Sequence, residues 1–188
     1  MGTVKVTNIE PIADNGTLTI GNSGDTIALT SGAKTSGFGK IGQVVSGTLT
    51  TSTTISTSAA TDIGLSATIT PTSTSSKILC MWKIMYGNSS GNNGVLNLLR
   101  GTTKIAQGTE TDGHQSTSSI CVANSNNYWN FDTSGNFLDS PATTSATTYK
   151  FQTESNDGAG PFQINRTARN GNSDAQGISV ITLMEVLP

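Results

Sequence analysis

Residues 16–33, GTLTIGNSGDTIALTSGA, contain a short repeat in which the apolar pair Leu18/Ile20 returns nine residues later as Ile27/Leu29, with glycine-bearing turns between. Each unit offers a three-residue strand with two apolar side chains on one face, too little surface to hold a fold by itself. Such units stack on copies of themselves or on other chains, as the rungs of β-helical shafts do. About two units are present, so other chains are the expected partners. The segment predicts an oligomer with a thin β-shaft.

The 188-residue chain is long enough for one ordinary domain beside this appendage. Ser, Thr, Asn and Gly number 23, 31, 16 and 21, about half of all residues. Ser, Thr and Asn hydrogen-bond to backbone outside helices, glycine makes a helix entropically costly and Thr suits strands, so almost no helix is expected. The apolar residues fall in clean runs, which argues for a folded body despite only 12% charged residues. A net charge of −2 with dispersed Lys and Arg leaves no basic stripe for phosphates and excludes nucleic-acid binding. No apolar run approaches the roughly 18 residues of a membrane helix, and MGTVKVTNIEP lacks the apolar core of a signal peptide. Val6 stands where N-myristoylation wants Ser or Thr. Synthesis in a cytoplasm, without cleaved export or membrane insertion, is the expectation. Cys80 in KILCMWKIM and Cys121 in SSICVAN are expected as small buried core residues rather than a disulfide. Sequons at Asn15, Asn88 and Asn165 are no more than chance supplies in so Ser/Thr-rich a chain.

Residues 3–9, TVKVTNI, alternate as a lead strand and Pro11 ends them. The Gly-rich joint Gly32–Gly42, with Phe38 as its one aromatic, divides an N-terminal attachment and shaft region, 1–42, from a head, 43–188. In the head, strands are expected at Val44–Val45, in the Thr/Ser ribbon Leu49–Ser58, and at Ile63–Ile69 up to Pro71. Residues 77–86, KILCMWKIMY, are apolar on both faces and read as a central strand packed on both sides. GNSSGNNG turns the chain into Val95–Leu99, followed by Lys104–Gln107, Ser119–Ala123, Tyr128–Phe131, Asn136–Asp139, Thr147–Thr153 and Pro161–Asn165. The last strand, Ile178–Leu187, is again apolar on both faces, one for the core and one for a neighbouring subunit. Short strands at this spacing with Gly/Asn/Ser turns predict an all-β sandwich, jelly roll or barrel.

Gly37–Gly42, GFGKIG, matches the dinucleotide loop G-x-G-x-x-G, but strand-forming QVVSGTLTTST follows where that mechanism needs a helix N-terminus. The loop is read as a joint. His114, the one histidine, sits in the polar tip TETDGHQS with nothing to orient it as a base, and Glu110 and Asp112 read as solvated turn charges. No catalytic residue, metal ligand or cofactor site is expected. Asn124–Phe131, NSNNYWNF, sets Tyr128 and Trp129 beside Asn127, offering flat apolar faces with adaptable hydrogen bonds. The competing expectation buries one ring in the sandwich and caps its end with the other. Arg166 and Arg169, in NRTARNGN, complete the candidate receptor-binding set Asn127, Tyr128, Trp129, Arg166 and Arg169; the arginines serve equally as intersubunit ion pairs.

The repeat GTLTIGNSGDTIALTSGA resembles the short shaft repeats of fibre proteins of marine bacteriophages, of the kind carried by viruses of cyanobacteria and pelagic bacteria. Leu99–Ile105 (LRGTTKI), Phe137–Gln152 (FLDSPATTSATTYKFQ) and Ile178–Val186 (ISVITLMEV) are similar to the distal domain of the same proteins. The resemblance implies a homotrimeric virion protein with a short N-terminal β-shaft and a jelly-roll head like those of tumour-necrosis-factor-type trimers. It also implies attachment to other virion proteins through the N-terminal segment, and a head that contacts a host-surface glycan or protein. Such fibres usually begin with a long virion-binding domain and a longer shaft, and residues 1–42 are expected to hold neither. That departure keeps a capsid-decorating or head-fibre role, mainly architectural, beside the tail-fibre one.

Overall fold

The computed structural model describes residues 41–88, 92–111, 117–124, 128–155 and 162–188. The chain divides into two units, Met1–Phe38 and Gly39–Pro188, and all described residues belong to the second. The expected lead strand 3–9, the 16–33 repeat, the Gly32–Lys40 part of the joint, Asp112, His114 and Asn127 lie outside them.

Among the described residues, alternation of apolar and polar residues builds eleven strands and no helix: β1 Ile41–Leu49, β2 Thr53–Ile55, β3 Thr61–Ile69, β4 Lys77–Asn88, β5 Asn92–Arg100, β6 Thr103–Ile105, β7 Ile120–Asn124, β8 Phe131–Asp139, β9 Thr147–Ser155, β10 Phe162–Ile164 and β11 Ser179–Val186. All pairings are antiparallel, in two sheets. In the first, β1, β11, β4 and β8 lie side by side, and β2 and β10 continue the columns of β1 and β11. In the second, β3, β9 and β5 lie side by side, and β7 and β6 share the far edge of β5.

The inward residues follow the period of two that strands impose. Ile63, Leu65, Ala67 and Ile69 of β3, Ile78, Cys80, Trp82, Ile84 and Tyr86 of β4, Tyr149 and Phe151 of β9 and Ile181 and Leu183 of β11 form one buried cluster shared by both sheets. The sheets approach closely at Gly47 of β1, where a β-carbon would stand 1.9 Å from the Ser66 carbonyl oxygen of β3. Only a residue without a side chain permits that approach.

Two strand breaks sit opposite one another. β1 passes into β2 across residues 50–52, and β10 passes into β11 by a long excursion through residues 165–178. Asn165, fully buried at φ 62°, stitches both. Its Nδ2 donates to the carbonyls of Leu49 at 2.8 Å and Thr51 at 3.0 Å, while its Oδ1 accepts the Ser179 hydroxyl at 2.7 Å. The Leu49 and Thr51 carbonyls, freed by the break in the first column, thereby gain a side-chain donor, as burial demands.

Several expectations change. β1 starts at Ile41, so the expected joint through Gly42 overlaps its first two residues. Residues 128–130 are not a strand; β8 is instead one continuous strand, paired with β4 from Tyr86↔Phe131 to Ile78↔Asp139. Cys80 is buried, but Cys121 is exposed, because β7 is a short edge strand. The expectation of two core cysteines thus holds for Cys80 alone. Among the described residues β4 is packed on one side only: its inward side chains are buried, whereas Met81 and Lys83 on the outer face are exposed. A cross-strand row there runs Val44–Met184–Leu79–Leu138, in register through β1, β11, β4 and β8. Val44 is 54% exposed, Leu138 46%, and Met81, one step along β4 on the same face, 41%.

Candidate ligand site at the end of the sandwich

Where β4 ends, the 128–130 loop entering β8 meets the 166–177 excursion between β10 and β11. Asn130 binds them together, its Nδ2 donating to the Ala175 carbonyl at 3.1 Å. Between the loops lies a depression of about 400 Å³, floored by Met85 and walled by Tyr128, Trp129, Asn130, Thr167, Ser173, Asp174 and Ala175. That volume is within the range of small-molecule sites. Tyr128 and Trp129 each keep 60% of their surface exposed, so neither ring is in the core as the competing expectation had it. Trp129 meets Phe131 edge-on, with centroids 6.4 Å apart.

The excursion is organised around Asp174. Its carboxylate accepts the Thr167 hydroxyl at 2.5 Å, the Gly171 N–H at 2.8 Å and the Arg169 Nε at 3.2 Å, and it pairs with the second guanidinium nitrogen of Arg169. The Arg169 bonds, helped by Thr167 and Gly171, hold the Asp174 carboxyl far below the usual carboxylate range. Asp174 in turn raises the pKa of Arg169, so the pair stays charged over any ordinary pH. The guanidinium so placed lies 4.6 Å from the centroid of Tyr128, a cation–π contact that braces the exposed ring.

Of the expected recognition residues, Tyr128, Trp129 and Arg169 are therefore gathered here. Arg166 is not. Its Nε donates to Gln163 Oε1 at 2.8 Å and its Nη2 to Thr54 Oγ1, which fastens β10 to β2. Asp174, Thr167 and Asn130 escape a reading of the sequence. The run NGNSD marks a loop, but nothing local states that its aspartate closes back on Arg169. Among the described residues no group of three or more His, Cys, Asp or Glu comes together to hold a metal. No described helix is long and apolar enough to cross a membrane. Compared with protein-family models and with curated proteins, the chain matches none.

Proposed function

We propose that the protein is a structural component of a bacteriophage virion, a short homotrimeric fibre-type appendage whose head binds the host cell surface. The observation that carries the receptor role is the braced aromatic pair. Tyr128 and Trp129 stand exposed on a loop that is tied down by Asn130 and, through Arg169, by Asp174. Large rings held outward by a dedicated frame suit recognition, because little side-chain entropy remains to be lost on binding.

A jelly-roll reading of the sandwich is supported by its column order. The strands β1/β2, β10/β11, β4, β8 in one sheet and β3, β9, β5, β6/β7 in the other interleave as two Greek keys would require. The homotrimer is supported by the apolar row Val44–Met184–Leu79–Leu138, whose exposed members would be covered by neighbouring copies. The N-terminal segment then serves attachment to other virion proteins. The reading includes no catalytic step, cofactor or metal. A capsid-decorating role, mainly architectural, is the second reading.

The test is competition. The full-length chain, added to cells of the bacterium on which the virus grows, is expected to block adsorption of the virus, and Trp129→Ala to lose that effect. Absence of any competition by wild-type protein would remove the receptor role. Imaging of the virion that finds the protein at many capsid positions, and none at the tail, would replace the first reading by the second.

A further inference from the structure

The geometry points to a neutral saccharide as the ligand of the depression beside Trp129, an inference that rests on the host-surface reading above. A sugar ring presents a face of C–H groups and a rim of hydroxyls. It needs an exposed aromatic plane for the first and fixed polar atoms for the second, and the site supplies both within one small-molecule-sized volume of about 400 Å³. Trp129 and Tyr128 supply the planes. Asn130, which lines the depression, supplies an amide held in place by its Nδ2 bond to the Ala175 carbonyl. Ser173 adds a hydroxyl at the rim.

Charge separates a neutral sugar from a sialate, uronate or phosphate. Among the described residues, one cation and one anion stand at the site, Asp174 in its lining and Arg169 beside it, and each is spent on the other. The guanidinium is further engaged by the Tyr128 ring. Among the described residues an acidic ligand would thus meet no uncompensated positive charge, the feature on which anion recognition depends. Asp174 is equally unsuited to hold a cation, since its oxygens already accept from Thr167, Arg169 and Gly171.

The experiment measures binding of the labelled full-length chain to host cells that are untreated, oxidised by mild periodate to cleave vicinal diols, or shaved with protease. Periodate is expected to lower binding about tenfold or more and protease to leave it within about twofold. Raising NaCl from about 50 to about 500 mM should change it by less than about threefold, since no net charge pairing is involved. Trp129→Ala should weaken binding about tenfold, with Trp129→Phe retaining most of it, because a ring is what the stacking needs. Sensitivity to protease but not periodate would overturn the saccharide and leave the host-surface reading standing, with a protein receptor in its place. A steep fall with salt would overturn the neutral assignment in favour of an acidic sugar. Wild-type binding by Trp129→Ala would overturn the site. No binding of wild-type chain to untreated cells would overturn the host-surface reading itself.

Discussion

At the far ends of β5 and β8 the two sheets are clasped by a charged contact whose removal has a calculable cost. Arg100 Nη1 donates to both oxygens of Asp139, at 3.0 and 2.9 Å, and the hydroxyl of Tyr149 donates to Asp139 Oδ2 at 2.7 Å. The Asp139 side chain is 8% exposed and that of Arg100 31%. Arg100→Ala leaves a buried carboxylate with one donor. Stranding a charge in this way costs about 3–5 kcal/mol when both partners are buried, and partial exposure of Arg100 lets water screen the pair, which reduces the expected loss to about 2–3 kcal/mol. Tyr149→Phe keeps the ring in its fully buried site and removes one hydrogen bond to a charged acceptor, a loss of about 1.5–2 kcal/mol. Both variants act on one carboxylate, so the double variant should depart from additivity by about 0.5 kcal/mol or more. The assay is urea unfolding at pH 7 and a fixed protein concentration, because an assembled protein's midpoint depends on concentration. A loss under about 0.5 kcal/mol for Arg100→Ala, or strict additivity, would refute the reasoning. Tyr149 also carries a pH signature: burial first, and then the bond to Asp139, push its hydroxyl pKa upward. The folded state keeps a proton that the unfolded chain releases near pH 10, so stability falls as pH rises above about 10, and Tyr149→Phe should soften that fall.

Glu185 gives the opposite limb. Its burial alone would raise its pKa, but Gln43 Nε2 at 2.8 Å, the Thr72 N–H at 2.6 Å and the Thr72 hydroxyl at 2.7 Å outweigh burial and lower it. Its contribution is present above the ordinary value of 4.5 and is lost as pH falls further; Glu185→Gln should flatten the acid limb of the urea midpoint. Gly47→Ala forces a methyl to within 1.9 Å of a backbone oxygen and should cost about 3 kcal/mol or more, read as a lowered thermal midpoint. Met184→Glu puts a charge in the outer apolar row and should convert the proposed trimer, three times the 19.4 kDa chain mass, into monomer, measured by light scattering. A wild-type monomer would refute the trimer directly. Cys121 should react with a thiol reagent in the folded protein, whereas Cys80, buried and with its thiol pushed up to about 12, should react only on unfolding.

Strand positions were largely legible, because alternation is a local property. Ile63–Ile69 is expected, and Thr61–Ile69 is formed. Residues 77–86 are expected, and Lys77–Asn88 is formed. The failures are also physical. Tyr128 and Trp129 have strong strand preference, yet Asn130 commits its amide to Ala175, 45 residues away, and holds them in a loop. Cys121 sits in apolar company along the chain but on an edge strand in space. At the site, the aromatic pair and Arg169 could be nominated from composition. Their frame could not.

Local residue pattern is therefore enough for an all-β body with two-faced strands, because helix avoidance, alternation and turn chemistry act within a few residues. Which partners meet is a matter of long-range contact. Asn165 joins Leu49 and Thr51 across 116 and 114 positions, Arg169 closes on Asp174 while Arg166, three residues earlier, turns to β2, and the outer apolar row exists only once four strands fall into register. Burial and pairing energies belong to those contacts, and no stretch of the chain contains them until it is folded.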